Sequence, residues 1–245
     1  LGYIKWGEKQ TGRTRQKRKT EVLFPSIESV KKRKPGWWAI PSQNLLTVNL
    51  FMLYVINKRF IVPYSESAII SDRCFHRIIP FDQENTELLA AILNSTFTIY
   101  CIELYGRSNL GLGALKFEAT DAKKISIINC NSIDKKTRNK LLLSFNKLKN
   151  RKVEDIFHEI GTKISTEVSL TKVKSDRREL DKIIMSDILG LTNDEQLKVY
   201  SAVIDLVKSR IEKAKSVEKN NKFIEGIDIK SAKNEAIAEL KKRKK

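Results

Sequence analysis

Apolar and polar positions change rhythm along this chain. Residues 1–36 hold almost no periodic apolar pattern, which predicts loops and short strands. At residues 50–56 and 59–62 the side chains form β-rich runs. Asn57-Lys58 between them suits a two-residue hairpin loop, because Asn tolerates positive φ. Residues 68–70 and 74–79 are two further short strands, with Pro41, Pro63 and Pro80 as punctuation. The pair Trp37-Trp38 after Pro35-Gly36 is expected to open a strand and anchor the preceding block to a core. From about residue 85 to 105 apolar residues recur at 88, 89, 92, 93, 97 and 99, a stripe wide enough for one helix lying deep against that sheet.

Past Ser132 the period is helical. Leu141, Phe145 and Leu148 share one face of a helix otherwise covered by lysines, and a polar connection runs from about residue 162 to 175. Asp176 with Glu179 and Thr192 with Glu195 have the spacing of capping boxes, and Gly190 is placed to end the first of the two helices they open. The second runs from about 193 to 217, with Leu197, Tyr200, Val203, Ile204, Val207, Ile211 and Ala214 in a core stripe. The pattern predicts an α+β fold in which a small mixed or antiparallel sheet with a packed helix is followed by a C-terminal helical bundle or spacer. The expected domains are residues 1–133, an α+β region with a basic N-terminal arm, residues 134–221, helical, and residues 222–245, a lysine-rich frayed tail.

Charge changes this picture more than composition does. With 245 residues, 41% hydrophobic, the chain has material for a real core, and its formal charge of +18 points to a polyanion partner. That charge is uneven: +8 lies in residues 1–36, none in 37–133, +7 in 134–178 and +3 in 179–245. A neutral apolar body flanked by two basic surfaces is expected. In the first block Arg13, Arg15, Lys17, Arg18, Lys19 and then Lys31, Lys32, Arg33 and Lys34 suit phosphate oxygens, against the blander alternative of a solvated arm.

Catalytic chemistry finds little support. Cys74, Cys101 and Cys130 are an odd set without a CxxC pair, so neither a disulfide framework nor a structural metal is expected and reducing cytoplasm is the expected compartment. His76 and His158 are the only imidazoles, and no serine or cysteine stands in a nucleophile-elbow context. Gly106 and Gly111 have phosphate-loop spacing, but Leu112 occupies the position of the required lysine; a loop presenting Arg107 and Asn109 fits better. Glu118, Asp121 and Lys123 are the best local approach to a metal nuclease, and a weak one. No stretch reaches the ~20 apolar residues of a membrane span. Leu1 opens the chain without the order of a secretory signal, so the sequence is expected to begin inside a longer polypeptide.

Several stretches, in order, bring a family to view: residues 3–8, 29–33 leading to Gly36-Trp37-Trp38-Ala39-Ile40-Pro41, 56–62, 88–95, 103–107, 113–116, 121–125, 176–181, 189–192 and the helix through Val199-Tyr200. Over about residues 1–217 the chain resembles the C-terminal target recognition region of S-adenosylmethionine-dependent DNA adenine methyltransferases of restriction-modification systems. The resemblance implies sequence-specific recognition of double-stranded DNA. It also implies an upstream methyltransferase domain of the same polypeptide that binds S-adenosylmethionine, with no cofactor in this fragment and no catalysis by the fragment alone. The parent enzyme is expected to methylate adenine, and a fused restriction nuclease is left open. The family's catalytic signature, Asn or Asp before Pro-Pro and an aromatic, and its cofactor glycine motif are nowhere in this sequence. Arg13, Arg15, Lys17, Arg18 and Lys19 with Lys31, Lys32, Arg33 and Lys34 are expected to form one edge of a DNA cleft, with Ser29 and Arg33 nearest the duplex. Arg107, Asn109, Lys123 and Lys124 are second choices. An RNA-binding protein and a helical assembly module are the alternatives; Trp37, Trp38, Phe51 and Phe60 are expected to be buried, which disfavours RNA stacking.

Overall fold

A computed structural model describes residues 2–13, 21–39, 45–108 and 113–225. The chain divides into two compact units, Leu1–Val48 with Ser67–Asp72, and Asn49–Glu66 with Arg73–Lys245.

In the first unit, helix α1 (Gly2–Gly7) leads to an antiparallel pair, β1 (Thr11–Arg13) and β2 (Glu21–Leu23), in which Gly12 faces Val22. Loops and short strands were expected here. A single 3₁₀ turn at Phe24–Ser26 and the short helix α2 (Glu28–Lys31) follow. The tryptophan pair does not open a strand: Trp37 and Trp38 sit in a turn. Trp37 packs beside Phe24 at 6.1 Å and Tyr3 at 6.4 Å, half-buried and outside the apolar core to which it was expected to anchor the block, while Trp38 meets it edge-on and stays exposed.

The second unit is built on β3 (Val48–Leu53), whose apolar run places it in the middle of a three-stranded sheet of order β5-β3-β6, with β5 at Tyr64–Ile69 and β6 at Phe75–Ile78. Leu50 faces Ile78 and Met52 faces His76 across an antiparallel pair. The expected hairpin at Asn57-Lys58 does not form. Residues 59–62 are no strand, because the Asn94 side chain takes both ladder groups of Val62, accepting its N–H at 2.9 Å and donating to its carbonyl at 2.9 Å. Instead β4 (Val55–Ile56) pairs with β7 (Leu115–Lys116).

The one helix expected over 85–105 is two, α3 (Thr86–Leu93) and α4 (Thr96–Tyr105), which meet at 79°. Asn94 is occupied by Val62, and Ser95 caps α4 by accepting the Thr98 N–H at 3.2 Å. No single helix among the described residues is long and apolar enough to cross a membrane.

Helix α5 (Ala119–Ala122) precedes α6 (Lys135–Lys149), where Asp134 accepts the Lys136 and Thr137 N–H groups and Leu141, Phe145 and Leu148 are buried as the pattern required. After α7 (Ile156–Ile160) comes α8 (Ser175–Lys182), continued by a π-helical segment, Ile183–Ile188. Asp176 does not cap α8; its carboxylate is turned to Arg151. Thr192 and Glu195 do form their box before α9 (Asn193–Glu225), and Gly190, at φ +70, follows the preceding helical segment. The buried face of α9 is Tyr200, Val203, Ile204 and Val207, and one apolar core runs from Leu50 through α3, α4, α6 and α8 to this stripe. The mixed α+β character read from the sequence is that of the protein. The lysine-rich end, residues 226–245, lies outside the described residues.

Candidate nucleic-acid interface

The basic turn of the first unit starts from α2, too short to stand by propensity alone. Ser29 and Lys31 are exposed on it, and Lys31 pairs with Glu28, whose carboxyl is held below its usual range by that contact. Lys32 ends the helix and Arg33 turns back, its Nη1 donating to the Ala39 carbonyl at 3.2 Å. Lys32 and Lys34 are exposed and form no salt bridge among the described residues, although the charge of Lys32 also helps to lower the Glu28 pKa. This turn therefore offers two uncommitted cations on a backbone fixed by its neighbours. Arg13 ends β1, with its side chain outside the described residues, and Arg15, Lys17, Arg18, Lys19 and Asn109 lie outside them altogether.

A second group forms around the glycine loop. Arg107 and Lys116 pair backbone to backbone, N–H to carbonyl at 2.9 and 2.8 Å, and close the loop at its base. On its far side Gly113 has φ +69, and a Cβ there would lie 2.8 Å from the Ile211 backbone on α9. That closeness lets Arg210 of α9 reach the Gly113 carbonyl, while its other nitrogens hold the Asn57 carbonyl at 2.7 Å and Glu103 at 2.8 and 2.9 Å. The loop is thus braced at both ends.

Arg107 is less available than a loop arginine suggests. Its Nη2 donates to the buried Asp121 carboxylate at 3.0 Å, and its Nη1 lies 3.5 Å from Glu118. Lys124 sits 3.6 Å from the same Asp121 oxygen; only Lys123 projects with no partner among the described residues. Burial alone would raise the Asp121 pKa, but the Glu118 backbone N–H and the charge of Arg107 bring it below the usual carboxylate range. Asp121 is consequently a permanent acceptor that joins this group of cations. It does not pair with Glu118 as a metal-binding couple, since Lys116 and Arg107 occupy that side chain.

The basic stretch after residue 134 is largely spent on the protein itself. Arg151 grips Glu159 with both terminal nitrogens, at 2.8 and 2.7 Å, and also holds Asp176. Arg177, fully buried, donates to Glu159 at 2.9 Å and to the Asn94 carbonyl at 3.2 Å. Burial pushes the Glu159 carboxyl up, but the hydrogen bonds from Arg151 and the charge of Arg177 outweigh it and hold the pKa at about 2. Beside this network Asp181, whose pKa burial raises, accepts from the Thr96 N–H at 2.7 Å and the Tyr200 hydroxyl at 2.9 Å, so a buried acid side chain caps the start of α4.

Arg59 and Lys152 were missed by sequence reasoning. Both are exposed, neither meets an acid among the described residues, and the fold brings them to the rim of one cavity. Arg59 lies in a segment predicted to be a strand, and Lys152 in a stretch whose surplus charge was visible only in bulk.

No curated protein and no solved structure matches the chain. A family model does. Residues 24–165, which hold the basic turn, the β3 sheet, the braced loop and α6, match the C-terminal domain of the type II methyltransferase M.Eco57I. The match covers more than half of the 245 residues, and the chain belongs to that family.

Proposed function

We propose that this chain is the DNA target recognition region of an S-adenosylmethionine-dependent adenine methyltransferase of a restriction-modification system. In this reading it binds double-stranded DNA while a catalytic domain of the same polypeptide holds the cofactor and transfers the methyl group. The observation that carries it is the family match over residues 24–165. The surface within that match supports it: Lys32 and Lys34 stand uncommitted on a fixed turn, and Lys123 beside a braced loop. Such cations set register by neutralising phosphates, whereas sequence must be read by a few groups at base edges. The 245 residues contain no Asn or Asp before Pro-Pro and an aromatic, so the region is not expected to methylate unaided.

Titrating a fluorescent duplex against salt tests this. If six to ten phosphates are neutralised, affinity should fall by ~10³ to 10⁵ between about 50 and 200 mM salt. Affinity that barely moves with salt would sink the reading.

One observation favours a second reading, a single-stranded nucleic acid partner. Tyr3 and Trp6 stack with centroids 5.7 Å apart and, like Trp38, are exposed. Exposed rings are platforms on which unpaired bases stack. Phe51 and Phe60 are buried as expected, whereas Trp37 is half-buried and Trp38 exposed. Competition between duplex DNA and single-stranded RNA decides between the two.

A further inference from the structure

A cavity of about 200 Å³ opens in the second unit between the 59–64 segment and the end of α6. Every ionisable residue with a formal charge on its wall is a cation, and none is an acid. Two of the four, Lys149 and Arg151, are committed to carboxylates behind the wall: Lys149 to Glu87 at 2.8 Å, and Arg151 to Glu159 and Asp176. The other two, Arg59 and Lys152, have no acidic partner among the described residues and stand exposed at the rim. The floor is apolar, and two rings border it edge to face with centroids 6.3 Å apart: Phe145, buried but for its rim, and Tyr64, with the Lys149 Nζ 5.5 Å from its centroid. Asn94 also borders the cavity, but its amide is already spent on Val62 and Ala90.

These features define what fits. Two uncommitted cations demand an anion, and an apolar, aromatic floor demands a ring that leaves water. The volume is below the ~300 Å³ at which drug-sized ligands are held, so nothing larger than one nucleotide, with its sugar left at the open mouth, fits. We propose that this cavity binds one nucleotide, with its base against Tyr64 and the apolar floor and its phosphate held by Arg59 and Lys152. Because the Asn94 amide is occupied, it reads no base edge, and purine and pyrimidine nucleotides bind within ~10-fold of each other. The nucleotide is either free in solution or an unpaired residue of a DNA strand; both present the same ring and phosphate.

Calorimetric titration of the full chain with dAMP, inorganic phosphate and deoxyadenosine tests the assignment. Saturable dAMP binding is expected, with phosphate alone and deoxyadenosine each at least ~10-fold weaker, the cost of losing one charged or stacking contact. The double variant Arg59→Gln, Lys152→Gln alters only exposed side chains, so it should fold and melt as the parent does while losing ~10-fold or more in dAMP affinity. No saturable dAMP binding, inorganic phosphate binding equally well, or a double variant that binds dAMP undiminished would each overturn the proposal. A duplex carrying one bulged adenosine then identifies the source: competition with dAMP at the cavity assigns the ligand to DNA, and failure to compete assigns it to free nucleotide. The inference does not rest on duplex recognition, since dAMP binding without salt-sensitive duplex binding would remove that reading and leave this one standing.

Discussion

Between Lys31 and Lys34 four cations occupy one short turn, and among the described residues only Lys31 forms a salt bridge, with Glu28. Between Lys147 and Arg177 eight cations are spread over 31 residues, and five of them, Lys147, Lys149, Arg151, Lys174 and Arg177, each meet an acid. Net charge therefore overstates the second stretch as a contact surface. A cation available to a phosphate must be exposed and uncommitted, whereas one inside an ion-pair network has already exchanged its water for carboxylates and contributes to holding the chain together. The formal +18 mixes the two uses.

The contrast predicts that substitutions in the two regions fail differently. The largest effect is expected from Arg177→Met, which leaves Glu159 and the Asn94 carbonyl short of a donor in the interior. Removing one partner of such a buried pair costs ~3 to 5 kcal/mol, measurable by urea denaturation, with duplex affinity unchanged below the melting temperature. Next in size is a pH effect. The Glu159 carboxyl, held at about 2 in the folded state against 4.5 ordinarily, contributes stability that is present in full above about pH 4.5. It is lost as pH falls through that window, ~3 kcal/mol in all, and Glu159→Gln should flatten this part of the stability profile while lowering its plateau.

Smaller again are the glycines. Gly113→Ala should cost more than the ~1 to 2 kcal/mol of left-handed backbone, because the new Cβ meets the Ile211 backbone at 2.8 Å. Gly190→Ala, with nothing within 4 Å of the added atom, should cost only that conformational part, and paired thermal melts would separate the two.

Local features were legible in the sequence. The α6 stripe of Leu141, Phe145 and Leu148 and the Thr192–Glu195 box depend on neighbours within a turn, and periodicity finds such features. The break between α3 and α4 was half legible. Asn94-Ser95 interrupts an apolar run, but what makes it a bend is Val62, 32 positions away, and Asp181, 85 positions from Thr96. The same distance hides the arginine network, since nothing near Arg177 in sequence reveals that Glu159 awaits it across 18 positions. Exposure followed from density at Lys31, Lys32 and Lys34, but not at Arg33, which is half-buried against the Ala39 carbonyl. The candidate surface was not legible at Arg107, where Asp121 lies 14 positions on, or at the cavity, whose rim joins Arg59 to Lys152 through tertiary packing.

The smallest effect on stability should accompany the clearest effect on binding. Lys32→Gln with Lys34→Gln removes no described hydrogen bond or salt bridge and should shift unfolding by less than ~0.5 kcal/mol. The decisive measurement is the slope of log affinity for duplex DNA against log salt, taken side by side for the unaltered chain, this double variant and Arg177→Met held below its melting point. The double variant should lose about two units of slope, one per phosphate contact, and Arg177→Met should lose none. Equal slopes in all three, or a loss confined to Arg177→Met, would contradict the division between cations left for a partner and cations spent on the fold.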